Sequence, residues 1–168
     1  AEPYAEDAPL DPLGAYGRTK AAGERLVREA HPSPHIVRTA WLYGEHGSSF
    51  PRTMLRLAAE RDTVSVVTDQ LGQPTWTGDL AAAIVALLDA DAPSGIYHGT
   101  NSGRASWFEF ARAVFEVAGL DPERVLPTDS ASFTRPAPRP SFSVLGHDAW
   151  DRAGLPRPRP WREALEAA

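Results

Sequence analysis

Tyr16 and Lys20 are the two residues whose types and spacing could most directly do chemistry. They stand four residues apart in a segment that reads as helix, so a phenol and an ammonium share one face, a turn apart. A phenol with the usual pKa of about 10 is a poor proton donor or acceptor near neutrality, and a fixed cation beside it favours the phenolate. Such a pair can trade protons at physiological pH. Lys20 is also the sole lysine among the 17 basic residues, the others all being arginine. In an arginine-biased sequence this exception points to a need for an ammonium. The plain alternative is a packed ring with its neighbouring ammonium snorkelling into water, which amphipathic helices produce by chance.

The elements that must position this pair read as alternating helices and strands. Residues 13 to about 30 are expected to be helix, with Leu13, Tyr16, Lys20, Gly23 and Val27 on one stripe. His31-Pro32-Ser33-Pro34 ends it. Residues 35–42 read as one buried strand that delivers Trp41 to its C-terminal end, where ligands bind in open α/β sheets. Residues 43–49 read as loop and 51 to about 61 as a second helix, opened by Pro51. A strand over 64–68 and a loop over 69–75 lead to a third helix, 77–89, with Thr77 as N-cap and Asp79 favourable in the first turn. Residues 95–98 read as strand and 106–118 as helix, with Trp107, Phe108, Phe110 and Phe115 mostly core. A short strand over 125–128 follows, then the proline-rich stretch 134–141, which excludes helix and central strand, and a helical tail from 161 to 168. This order, without internal repeat, favours an α/β fold, and the strands at 35 and 64 are expected to finish a parallel sheet begun in a missing upstream half.

With 168 residues, 42% of them hydrophobic, the chain suffices for one globular domain with a sizeable core. Its longest apolar run, 80–88, is far below the ~20 residues of a membrane span, and no signal segment opens it. The expectation is a soluble, cytoplasmic protein with no membrane partner. The absence of cysteine excludes disulfides, thiolate chemistry and cysteine-based metal sites. A net charge of -5 without a Lys/Arg block argues against nucleic acid as a partner. His31 and His35 have the spacing of a helical metal pair, but Pro32 and Pro34 forbid the helix it needs. Gly95, Gly99 and Gly103 lack the G-x-G-x-x-G spacing, so no dinucleotide cradle is read there.

Longer phrases carry a resemblance. Pro12-Leu13-Gly14-Ala15-Tyr16-Gly17-Arg18-Thr19-Lys20-Ala21-Ala22-Gly23-Glu24 resembles the PLxxYGxSKxxGE segment of extended short-chain dehydrogenases/reductases, and among them that of the dTDP-4-dehydrorhamnose reductases. Val37-Arg38-Thr39-Ala40-Trp41-Leu42-Tyr43-Gly44, followed by Ser49-Phe50 and Thr53-Met54-Leu55-Arg56-Leu57, resembles RTSWxYG…NFxxTMLRL. Ala40 replaces the usual Ser and Ser49 the usual Asn, departures that bear on nicotinamide-side or sugar contacts. Asp69-Gln70-Leu71-Gly72-Gln73-Pro74-Thr75 is similar to VVxDQxGxPT, and the stretch from Gly95 is similar to GIYHxxxxGxxSWxEFA. The proline-rich stretch looks like TPAxRPxxSVL.

The resemblance implies the C-terminal part of an NAD(P)-binding, Rossmann-like α/β reductase. Residues 1–48 would end the Rossmann-like portion and 49–168 would form mainly a smaller substrate-binding lobe. The glycine-rich dinucleotide half and a third catalytic residue, Ser or Thr, would lie upstream as the partner half, so the chain alone would be inactive. The implied reaction is NADPH-dependent, with NADH an open substitute, and reduces the C4 ketone of dTDP-6-deoxy-L-lyxo-4-hexulose to give dTDP-L-rhamnose. Tyr16 would protonate the developing alkoxide, Lys20 would assist it and hold the nicotinamide ribose, and Trp41 would lie against the nucleotide-sugar substrate. Arg139 or Arg135 would pair with the pyrophosphate; the alternative for Arg139 is a solvated loop. Mg2+ and a homodimer enter by family resemblance only. Two other readings stay open: a related nucleotide-sugar ketoreductase of antibiotic biosynthesis, and a noncatalytic regulatory subunit on the same fold.

Overall fold

Parallel strand pairs joined through helices set the architecture. The computed structural model describes residues 1–132 and 139–168. Along the chain run α1 (Ala15–Ala30), β1 (His35–Arg38), β2 (Leu42–Tyr43), α2 (Phe50–Glu60), β3 (Val64–Val67), β4 (Leu71–Gly72) and β5 (Thr75–Trp76). There follow α3 (Thr77–Asp89), β6 (Gly95–His98), β7 (Ala105–Ser106), α4 (Trp107–Val117), β8 (Val125–Thr128), α5 (Asp148–Arg152) and α6 (Trp161–Ala167). β1 pairs in parallel with β6, from His35 opposite Gly95 to Arg38 opposite His98. β3 pairs in parallel with β8, and β2 with β5, while β4 and β7 are antiparallel. Parallel partners need a crossover of a dozen or more residues, and helices fill those crossovers here. The α/β expectation therefore holds.

Among the described residues the strands at 35 and 64 lie in separate pairs, β1 with β6 and β3 with β8. Two sequence expectations need correction. The strand expected over 35–42 breaks in two, because Trp41 adopts φ 47. A left-handed backbone is rare for a bulky residue, and it turns the chain so that Leu42 and Tyr43 find Thr75 and Trp76 instead of continuing along β6. The Thr75 amide closes the turn by donating to the Trp41 carbonyl at 3.1 Å. Finally, Thr77 is the first helical residue of α3 and not its cap; Trp76 occupies the cap in extended backbone without a side-chain bond. Asp79 does sit in the first turn, where Arg159 grips its carboxylate at 2.8 Å through both Nε and Nη2.

The main core is built on α4. Ser106 caps it in a reciprocal box with Glu109, and the helix buries Phe110, Ala111, Ala113, Val114 and Phe115. These pack with Met54 of α2, Val64 and Val66 of β3, Val125 of β8 and Leu165 of α6. Full burial of a Phe side chain stabilises by roughly 1.5–3 kcal/mol. Trp107 and Phe108, read as core, are only partly buried. A second cluster joins Leu87 of α3 and Tyr97 of β6 to Trp150 of α5, whose indole N–H donates to the His98 carbonyl at 3.0 Å. Between the two, the Gln73 side chain acts as a surrogate strand: its amide donates to the Leu145 carbonyl at 3.0 Å and its oxygen accepts from the Leu145 amide at 2.8 Å. Most of the proline-rich stretch expected over 134–141 lies outside the described residues.

Candidate active site

Helix α1 starts at Gly14, which caps it in extended backbone without a side-chain bond, and its first turn carries no acidic residue. Tyr16 is 78% exposed and Lys20 is exposed. The Lys20 ammonium lies 6.0 Å from the centre of the Tyr16 ring, the outer reach of a cation–π contact. The helical spacing thus brings phenol and ammonium to one solvent-facing surface. Of the stripe read from the sequence, Leu13, Tyr16 and Val27 are all exposed in this chain. The half-buried positions of the helix are Gly17, Ala21, Gly23 and Glu24, and no residue of α1 is buried. Gly17 is required by packing, since a Cβ there would meet the Pro12 Cβ at 2.9 Å.

What ties α1 to the sheet is charge. The Glu24 carboxylate receives two bonds of 2.7 Å from Arg38, one from Nε and one from Nη2. Arg38 is the last residue of β1, and its Nη1 also reaches the Glu6 carbonyl at 3.4 Å. Both side chains are 18% exposed, and no other described ion pair is so shielded on both sides. The hydrogen bond from Arg38 holds the Glu24 carboxyl below the usual carboxylate range. Glu6 is itself buried, accepting from the Ala149 amide at 3.0 Å with Arg152 3.6 Å away. Alongside runs a cleft of about 710 Å³ lined by Glu6, Leu10, Glu24, Arg28, Arg38 and Tyr97, among others. Tyr16, Lys20, Trp41 and Arg139 do not line it. The Glu24–Arg38 pairing was not read from the sequence, although both residues fall inside the phrases that carry the family resemblance.

Trp41 belongs to a separate aromatic group. Its ring stacks on Trp107 at 3.6 Å between centroids and 11° between planes, with Phe50 4.6 Å from Trp107. The indole also abuts Gly72, where a Cβ would come within 2.4 Å of the ring. Trp41 remains half-exposed. Ser49, in place of the family's usual Asn, serves as the N-cap of α2, accepting from the Arg52 amide at 3.5 Å. Arg139 is exposed, and Arg135 lies outside the described residues. Among the described residues no group of three or more His, Asp or Glu is arranged to hold a metal, so the Mg2+ expectation finds no ligand set there. No helix among them is long and apolar enough to cross a membrane.

A family model described as the RmlD substrate binding domain matches residues 1–168. The chain is 53% identical over 166 residues to a probable dTDP-4,6-dihydroxy-2-methyloxan-3-one 4-ketoreductase of Streptomyces antibioticus, an alignment covering 99% of this chain and 56% of that protein. It is 52% identical over 168 residues to a dTDP-4-dehydrorhamnose reductase of Streptomyces griseus, covering 97% and 55%. The crystal structure of dTDP-4-dehydrorhamnose reductase from Bacillus anthracis in complex with NADP matches with a TM-score of 0.90 at 41% identity, over 98% of this chain and 58% of that one. The chain spans a little over half the length of these relatives.

Proposed function

Because this chain belongs to the RmlD substrate binding domain family, we propose that the protein carrying it is a nicotinamide-dependent reductase of a dTDP-linked 4-ketosugar. The favoured substrate is dTDP-6-deoxy-L-lyxo-4-hexulose, giving dTDP-L-rhamnose in the cytoplasm. The observation that carries this reading is the exposed Tyr16 and Lys20 pair on one face of α1. Residues 1–48 would complete the dinucleotide-binding portion, and 49–168 would form mainly the substrate lobe. The residues present fit a nicotinamide nucleotide: Lys20 takes part in no ion pair among the described residues, so its ammonium is available to ribose hydroxyls. The NADP complex of the Bacillus anthracis relative favours NADPH over NADH.

When bound, the reduced nicotinamide supplies hydride to the ketone carbon. The Tyr16 hydroxyl donates its proton to the ketone oxygen as negative charge builds there. The Lys20 ammonium stabilises the phenolate that remains, and water restores the proton from the open side of α1. Trp41 offers its uncovered surface to the sugar or base, held rigid by Trp107. Arg139 pairs with the pyrophosphate.

NADPH oxidation by the full-length protein with enzymatically prepared dTDP-6-deoxy-L-lyxo-4-hexulose tests this, with the product's stereochemistry assigned. Formation of dTDP-L-rhamnose supports the reading; cofactor binding without oxidation refutes it for this substrate. A second reading, reduction of another dTDP-4-keto-6-deoxysugar, is favoured by the 53% identity to the Streptomyces antibioticus ketoreductase. Turnover of such a ketosugar in preference to the first would establish it.

A further inference from the structure

The surface that α1 turns toward the rest of the molecule is unusual for a helix carrying a reacting pair. Gly17, Ala21 and Glu24 follow one another at helical spacing, and with Gly23 they are the half-buried residues of the helix. Among the described residues, α1 buries no large side chain against another element. Neither cap contributes a side-chain bond, and the Arg25–Glu29 pair lies within the helix, over half exposed on both sides. Among the described residues, Glu24 makes the helix's side-chain hydrogen bonds to another element. Its carboxylate meets a guanidinium edge-on through two bonds of 2.7 Å, and a two-point fork fixes direction as well as distance. Glu24 lies one turn beyond Lys20 and two beyond Tyr16, so any slip at the fork moves both.

We propose that Glu24 and Arg38 form a positioning pair that sets the axial register and roll of α1, and through them the placement of the Tyr16 hydroxyl and Lys20 ammonium. Arg38 suits this role because it sits at the C-terminal end of β1, where β6 fixes its backbone in register. Its reach to the Glu6 carbonyl ties the loop before α1 to the same point. The pair touches no reacting atom. Its contribution is geometric, and geometry has steep consequences: a displacement of ~1 Å at a reacting group can slow turnover by ~100-fold.

The inference rests on the reading of Tyr16 and Lys20 as the reacting pair, and the test separates the two. In the full-length reductase, Glu24→Asp and Arg38→Lys keep both charges but shorten or break the fork. Each is expected to lower kcat by about 10-fold or more with KM for the ketosugar changed less than about twofold, measured well below Tm. The exchanged pair, Glu24→Arg with Arg38→Glu, is expected to recover at least threefold over Arg38→Glu alone. A fall in Tm with wild-type kcat in both conservative variants would show a purely stabilising contact and overturn the proposal. If Arg38→Lys does not fold, Glu24→Gln, which keeps side-chain shape, decides by the same criterion. Tyr16→Phe is run beside them. Wild-type turnover in that variant overturns the reaction reading and the positioning role together, whereas a crippled Tyr16→Phe beside unaffected fork variants overturns the positioning role alone.

Discussion

Helices α1 and α4 both read as amphipathic from sequence, yet α1 buries no residue and α4 buries five. α4 is fixed by aromatic and aliphatic side chains in the main core and by a reciprocal cap at its N-terminus. α1 begins at an uncapped glycine and is fixed by one ionic fork. The difference lies in the kind of attachment within this chain, which spans a little over half the length of its relatives: α4 is held by apolar burial and α1 by a directional polar contact. Substitutions that leave one property intact and remove the other sharpen the contrast.

The largest expected effect is Tyr16→Phe in the full-length protein, which should lower turnover by about 10²–10⁴-fold. The Tm of this chain should barely move, because the side chain is largely exposed. Phe110→Ala should do the reverse, destabilising by roughly 3–5 kcal/mol in denaturant unfolding, since Phe110 is fully buried. Leu26→Ala, on the exposed side of α1, should change stability by no more than about 0.5 kcal/mol. An effect between those two is expected at the cap of α4: Ser106→Ala should destabilise by ~1 kcal/mol, read by the same unfolding curves.

The gentlest test is a pH scan, because the two kinds of attachment titrate in different windows. Burial holds His98 and His147 below the ordinary histidine value. His98 donates from Nδ1 to the Gly146 carbonyl at 2.8 Å, while its buried Nε2 has no partner. The unfolded chain therefore takes up protons first, so their contribution is complete above about pH 6.5 and is lost as pH falls through the depressed folded values. Glu24 is likewise depressed, by its bond from Arg38, and its contribution is complete above about pH 4.5 and lost only in stronger acid. Tm should thus decline in two stages on acidification. His98→Asn, which keeps a donor near Gly146, should flatten the first stage, and Glu24→Gln the second; a single unchanged decline in both variants would break the comparison.

Much of this arrangement was legible from residues alone. The four-residue spacing of Tyr16 and Lys20 fixed their shared face, and the order of elements gave the α/β class. The direction in which α1 faces was not legible, because Leu13, Tyr16 and Val27 form an apolar stripe yet are exposed in this chain, whereas the small residues Gly17 and Ala21 are half-buried. The Glu24–Arg38 fork spans 14 residues and a change from helix to strand, so no local period reveals it. The break at Trp41 is set by tertiary contacts with Trp107 and Gly72, which overrule the β-branched, aromatic run around it. At α4, by contrast, the helix read over 106–118 is found as Trp107–Val117, with Ser106 and Glu109 forming its reciprocal cap.

The two longer parallel pairs interleave along the chain. β1 waits about sixty residues for β6, and β3, already made in the interval, waits as long for β8. During synthesis neither pairing can close before the other has begun, so a nascent chain halted ahead of Val125 holds β3 with its partner still unmade. Such long-range closure slows folding and leaves β-rich edges uncovered on the ribosome. Closure of the pair that carries Arg38 is therefore bound in time to closure of the pair in the main core, and a cut between β3 and β6 would part both strands from their partners.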